Sequence, residues 1–199
     1  NGAGIIHDTE IAMVGRTSEE VADVLGAGAF GAARETGEVL NTAIRDGAAR
    51  GIGIGQAVGA TLLAHRFAHN DQSLLAQAAV LGVPVTVHVA MGTDIIHIHP
   101  GADGAAIGQA GHHDFRVFCR LVSDLEGGAY LNVGSAVLLP EVFLKALTLV
   151  RNLGYQVKRF TTANFDFIRH YRPATNVVHR PTLEGGKGFN FTGHHELML

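Results

Sequence analysis

Histidines next to carboxylates are the residues in this sequence whose types and spacing best suit proton transfer. The chain has 12 histidines in 199 residues; His7 precedes Asp8, and His194 stands two residues before Glu196. A histidine near a carboxylate titrates near neutral pH and can accept or donate a proton during a reaction. We therefore predict that His7, His194 and Glu196 are acid–base residues. The alternative is that these groups only pack at the surface.

A second group of histidines could bind a metal ion. His97 and His99 are separated by one residue, so in an extended segment both imidazoles would lie on one face, as in metal-dependent hydrolases. Asp94 or His88 could complete the site. No H-E-x-x-H motif occurs, and the histidines are spread along the chain. We favour a polar role without a metal and keep a metal-dependent hydrolase as the alternative.

Lysine is scarce, and one of the three lysines lies in a glycine-rich run. Lys187 is the lysine of G-G-K-G at 185–188, which is predicted to be a flexible loop. A lysine there could form an imine with a carbonyl compound or contact a phosphate, or it could simply face solvent. There is no G-x-S-x-G motif, and Cys119 falls on the apolar face of a predicted helix, which argues against serine or cysteine nucleophiles.

The elements that must position these residues alternate between strands and helices. Strands are predicted at 83–90, 129–133 and 155–162, with a further short one at 177–178. Helices are predicted at 18–25, after a capping box at 17–20, and at 31–50, 55–69, 73–81, 114–126 and 140–153. This order predicts right-handed crossovers and an α/β fold with a Rossmann-like, mostly parallel sheet covered by helices on both faces. Residues 1–199 are predicted to form a single nucleotide-binding domain.

Small residues follow the ends of predicted strands, where open parallel sheets bind their ligands. They are found at 1–4, 134–136 and 162–164, and would let a pyrophosphate or ribose approach the backbone. The alternative is that they only close tight turns. The G-x-G-x-x-G run at 26–31 follows a predicted helix instead of a strand, so we do not interpret it as a dinucleotide site.

Composition limits the possible partners. The formal charge is −3 with no basic stripe, which argues against nucleic-acid binding, and no apolar run approaches ~18 residues, which argues against a membrane span. A single cysteine suits a reducing compartment, so we expect a cytoplasmic protein. The chain begins with Asn1 instead of Met, and we expect that a natural N-terminal segment is missing.

The order of motifs resembles the deoxyhypusine synthase family, and most closely its bacterial deoxyhypusine-synthase-like members of unassigned activity. N-G-A-G-I-I-H-D at 1–8 resembles T-A-G-G-V-E-E-D, and V-P-V at 83–85 followed by Asp94 resembles the strand I-P-V-F and its nearby aspartate. G-S-A-V at 134–137 resembles G-G-G-V, and T-T-A-N-F-D at 161–166 resembles N-T-A-Q-E-F-D. The opening motif is also similar to N-A-L-A-V-H-D of archaeal ornithine cyclodeaminase-type domains.

The resemblance implies a homotetramer that binds NAD and transfers an aminoalkyl group from a polyamine or another small amine. It implies cofactor contacts for nine residues: Asn1, Gly2, Ala3, Asp94, Gly134, Ser135, Ala136, Thr162 and Ala163. It also implies that Lys187 holds an imine. This chain departs from the family at Ile6 and His7, which replace two glutamates, and it has no tryptophan. These departures leave open a small amine or amino acid as substrate, and a non-catalytic nucleotide-binding assembly protein as a further alternative.

Overall fold

The computed structural model describes residues 1–17, 25–28 and 33–199. Its contacts divide the chain into two compact units, Asn1–Asp114 and Phe115–Leu199, and each is described by itself. The predicted single domain stays a prediction. The helix predicted at 18–25 and the glycine run at 26–31 lie largely outside the described residues.

The first unit is helical. Its helices are α1 (Gly2–Val14), α2 (Arg34–Arg50), α3 (Ile54–His65), α4 (Leu74–Leu81) and the first part of α5 (Gly104–Ser123), with short 3₁₀ turns at Leu25–Ala27 and Ile95–His97. The predicted helices at 31–50, 55–69 and 73–81 correspond to α2, α3 and α4. Ser73 caps α4, since its Oγ accepts the Ala76 N–H at 3.0 Å. Leu40, Ile44 and Leu62 are fully buried between the helices, which is what helical apolar spacing is expected to produce.

Two predictions for this unit are wrong. Residues 83–90 are not a strand, because the Val87 N–H donates to the Asp114 carboxylate at 2.8 Å instead of to a neighbouring strand. Residues 1–4 do not close a strand-to-helix turn either. They begin helix α1, with Asn1 Oδ1 accepting the Gly4 N–H at 2.7 Å as an N-cap.

The second unit holds a parallel sheet in the order β1 (Ala129–Val133), β2 (Thr161–Asp166) and β3 (Lys187–Thr192). Helix α6 (Leu138–Asn152) connects β1 to β2. A short helix α7 (Tyr171–Pro173), a π-helix at Ala174–His179 and a 3₁₀ turn at Arg180–Thr182 connect β2 to β3, and α8 (His195–Met198) follows the sheet. The α/β class with a parallel sheet is therefore confirmed, while the wider two-faced Rossmann-like sheet stays a prediction.

The core of the second unit lies between α6 and one face of the sheet. Phe143 is fully buried, and its ring stacks on that of Tyr130 with centroids 3.8 Å apart. Cys119 is buried in the same cluster, on the apolar helix face predicted for it. The opposite face of the sheet carries Leu131 and Phe189, which are 54% and 45% exposed.

The predicted strand at 129–133 is confirmed, whereas the strand predicted at 155–162 begins later, at Thr161. The N–H groups of Lys158 and Arg159 donate to the Glu126 carboxylate at 2.6 and 2.8 Å, so they are not available to a strand ladder. The short strand predicted at 177–178 is also wrong, because both residues lie in the π-helix. In the part of the chain that is described, no helix is long and apolar enough to cross a bilayer.

Candidate functional site

A cavity of about 240 Å³ in the first unit contains several of the predicted site residues. It is lined by Ala3, Ile6, His7, Gly92, Thr93, Asp94, Ile95 and Ile98. The three residues from α1 are spaced three and four apart and therefore lie on one side of the helix. The structure thus brings together Ala3, His7 and Asp94, which sequence reasoning placed in one site although about ninety residues separate them.

The loop that supplies the other wall is held by His97. Its Nδ1 accepts the Gly92 N–H at 3.1 Å and the Asp94 N–H at 3.3 Å, while the Asp94 side chain accepts the backbone N–H of His97 as a reciprocal capping box. The Thr93 hydroxyl lies 2.7 Å from the Ala90 carbonyl oxygen and 3.1 Å from Asp94 Oδ2. These contacts fix the position of the Asp94 carboxylate at the cavity wall.

Gly2 allows this carboxylate to approach the start of α1. A Cβ atom added at Gly2 would lie 1.9 Å from Asp94 Oδ2, so no larger residue fits there without displacing Asp94. The positive end of the helix dipole favours a negative charge at this point. The small size of Gly2 therefore serves an internal contact, and its role in binding a cofactor stays a prediction, as does that of the N-cap residue Asn1.

A buried histidine of the first unit has a shifted pKa. Burial lowers the pKa of His88 to about 4. His88 is therefore neutral at pH 7, and its Nε2 lies 3.1 Å from the Thr86 hydroxyl.

The structure separates the two members of the His7–Asp8 pair. Asp8 is buried and accepts the Ser73 hydroxyl at 2.6 Å and the Leu74 N–H at 2.7 Å, at the start of α4. Asp8 is thus a helix cap, and only His7 lines the cavity.

The metal site considered for His97 and His99 is not formed. The segment is a 3₁₀ turn instead of an extended strand, and each histidine uses its Nδ1 to accept backbone N–H groups, with 3.0 Å from the Gly101 N–H to His99 Nδ1. Among the residues that the structure describes, no group of three or more His, Cys, Asp or Glu side chains could hold a metal ion. The hydrolase alternative therefore has no supporting geometry.

In the second unit, Gly134, Ser135 and Ala136 lie at the carboxyl end of β1, as predicted. Gly134 has a left-handed backbone with φ 66°, and its N–H donates to the Phe165 carbonyl oxygen at 2.9 Å. Ser135 Oγ accepts the Leu139 N–H at 3.2 Å, and Pro140 has no N–H to offer. The start of α6 therefore has fewer N–H donors than most helices, and an anion would depend more on the turn itself.

Three other predicted residues lie elsewhere in the sheet. Thr162 and Ala163 are buried inside β2, paired with Tyr130 and Leu131, and are not at its carboxyl end. Lys187 is the exposed first residue of β3, not part of a flexible loop. At about 3.3 Å per residue, it lies roughly 16 Å along β3 from the carboxyl end of the strand.

The histidine pair after β3 is at the same end of the sheet as Gly134. His194 is the exposed N-cap residue of α8, and Glu196 is exposed in its first turn. His195, which sequence reasoning did not select, places Nε2 3.2 Å from the Phe165 carbonyl oxygen and packs beside Gly134. Sequence spacing gives no signal to choose between two adjacent histidines.

The sequence analysis also did not select a row of three asparagines in the sheet. Asn132, Asn164 and Asn190 occupy the same register position in the three strands. Asn132 Nδ2 donates to Asn164 Oδ1 at 2.7 Å, and Asn164 Nδ2 donates to Asn190 Oδ1 at 2.8 Å. The row fixes the strand register, because a slip by one residue would leave buried amides without partners.

Comparison with known proteins adds no relative: no family model, curated protein or solved structure matches the chain. The fold and site thus define an α/β protein with a small cavity that holds a carboxylate and a histidine, and with a glycine turn at the end of a parallel strand.

Proposed function

We propose that this chain is an NAD-dependent enzyme of the deoxyhypusine-synthase-like class that acts on a small amine. The observation that carries the proposal is the cavity of the first unit, where Ala3, His7 and Asp94 meet. A fixed carboxylate and a histidine in one small cavity are suited to holding an ammonium group and removing its proton.

Three residues of the second unit are proposed to hold the cofactor. Gly134 is exposed, and a Cβ added there would contact only the ring of His195, at 3.5 Å. The backbone of Gly134, Ser135 and Ala136 therefore leaves room for an extended ligand such as a dinucleotide. The cofactor proposal and the amine proposal are each tested with their own ligand.

The chemistry assigned to the chain is proton transfer. NAD, if bound, would supply the hydride acceptor for oxidation of a small amine to an iminium ion. His7 first removes a proton from the ammonium group, because only the neutral amine has a lone pair that can stabilise the positive carbon. Asp94 holds the nitrogen through a charge-assisted hydrogen bond. We assign no covalent step to Lys187, since it lies at the amino end of β3.

The test is to titrate the protein with NAD by calorimetry and then to follow formation of reduced nicotinamide in the presence of simple amines. We expect NAD binding, reduction of the cofactor, and a loss of about 10²-fold or more in rate for His7→Gln. His112→Gln is the matched control, because His112 is exposed on α5.

Two outcomes would contradict the proposal. NAD binding without reduction by any amine would favour a non-catalytic nucleotide-binding assembly protein. Absence of NAD binding would remove the cofactor itself. The homotetramer implied by the resemblance is a separate proposal, and sedimentation of the purified protein tests it.

A further inference from the structure

We propose that the cavity of the first unit selects a short aliphatic monoamine over polyamines and amino acids. This inference rests on the proposed function, and it names the substrate class of the same site. It follows from the charge, the hydrogen-bond donors and the apolar surface of the cavity wall.

The charge at the wall matches one ammonium group. Asp94 is the one carboxylate among the eight lining residues, and none of the eight is lysine or arginine. A half-buried carboxylate with no lysine or arginine among the lining residues attracts a single positive charge. A polyamine carries further ammonium groups that would find no second carboxylate at this wall.

The available donors argue against an amino acid. The N–H groups of Gly92 and Asp94 both donate to His97 Nδ1, so they are not free to bind a ligand carboxylate. The end of α1 is already approached by the Asp94 carboxylate, which contacts Gly2. A carboxylate next to the amine would therefore be repelled by Asp94 and receive little compensation.

The rest of the wall is apolar and the space is small. Ile6, Ile95 and Ile98 line the cavity, and about 240 Å³ corresponds to roughly eight water molecules at about 30 Å³ each. A second ammonium group placed against Ile6, which is buried, or Ile95, which is half-buried, would lose hydration without gaining a partner. A chain of a few methylene groups would instead bury its carbon atoms there.

The first experiment is calorimetry with propylamine, 1,4-diaminobutane, spermidine and alanine, without NAD and at pH 9. An alkylamine remains charged at this pH and can therefore pair with the Asp94 carboxylate. We expect propylamine to bind most tightly. Tighter binding of spermidine or alanine would overturn the inference.

Two variants test which residue is responsible. Asp94→Asn should weaken propylamine binding by about tenfold or more, while keeping an oxygen to accept the His97 N–H. Asp103→Asn is the matched control, because Asp103 caps backbone N–H groups outside the cavity. Equal affinities for the two variants would contradict the assignment.

The complementary variant is Ile98→Glu. Ile98 is 68% exposed at the cavity, so a glutamate can be placed there without being buried. We expect the preference to move toward 1,4-diaminobutane by about tenfold relative to propylamine. An unchanged preference would refute the argument from charge number. Amine selectivity with no cofactor reduction would overturn only the proposed function, so the two failures are distinguishable.

Discussion

Replacing Asp114 should unfold the region around the start of helix α3. The Asp114 side chain is buried, and its Oδ2 accepts the N–H groups of Val87 at 2.8 Å and Gly55 at 3.0 Å. A further hydrogen bond comes from the backbone of Ile54. Burial raises the pKa of the Asp114 carboxyl group, and these hydrogen bonds oppose the shift. One carboxylate thus caps α3 and holds the extended segment at 83–90.

The magnitude follows from the donors that lose their partner. Asp114→Ala leaves up to three buried N–H groups unpaired, each worth about 1–3 kcal/mol, of which entering water recovers part. We expect the free energy of unfolding to fall by about 3–5 kcal/mol, a large part of the stability of a typical domain. Asp114→Asn keeps one acceptor oxygen and should cost about 1–3 kcal/mol.

The assay must report on the first unit. The chain has no tryptophan, and its tyrosines, Tyr130, Tyr155 and Tyr171, all belong to the second unit, so intrinsic fluorescence would miss the change. Urea unfolding followed by circular dichroism, together with hydrogen exchange at the Val87 amide, measures it directly. Asp71→Ala, at an exposed residue of the same unit, is the control.

The reasoning would be refuted by an Asp114→Ala variant within about 1 kcal/mol of the Asp71→Ala control. It would also be refuted if the Val87 amide kept its protection in that variant. Either result would mean that water or another acceptor replaces the carboxylate without loss.

Three further predictions concern pH, backbone space and the asparagine row. The pKa of His88 is about 4 in the folded chain and 6.5 in the unfolded chain, so the unfolded chain binds more protons between these pH values. The free energy of unfolding should therefore fall by at most about 3 kcal/mol as the pH drops from 7 to 4. His88→Gln should flatten that pH dependence in urea titrations. Gly2→Ala, whose new Cβ would lie 1.9 Å from a carboxylate oxygen, should lower the thermal midpoint and weaken amine binding, whereas Gly108→Ala, which meets nothing within 4 Å, should be neutral or stabilising. Asn164→Ala should destabilise the second unit by about 2–3 kcal/mol, since both neighbouring asparagines lose a buried partner. Unfolding followed by tyrosine fluorescence measures this change. An equal effect of Asn152→Ala, at an exposed site, would contradict the prediction.

Some of the cavity residues could be predicted from the sequence, because they belong to a recognisable motif and are spaced as one side of a helix. Ala3 and His7 belong to one opening motif, and helical geometry then puts them on one side of α1. Asp94 was selected from the same resemblance and does line the cavity. The isoleucines that shape its apolar wall were not selected, because an apolar residue in a sequence looks the same in a core and in a binding site.

Local signals in the sequence determined helices α2, α3, α4 and α6 and the first strand. The cap at Ser73, the apolar spacing of α2 and the glycines at 128 and 134 that bound β1 each act over a few residues, so sequence alone places these elements. Tertiary structure decided which partner each remaining N–H group found. The Val87 N–H donates to Asp114, and the strand predicted at 83–90 is absent. The N–H groups of Lys158 and Arg159 donate to Glu126, and the strand predicted to begin at 155 begins at Thr161 instead. A carboxylate that lies tens of residues away does not change the residue pattern of the segment whose backbone N–H groups it accepts. Only the folded chain could therefore show these hydrogen bonds.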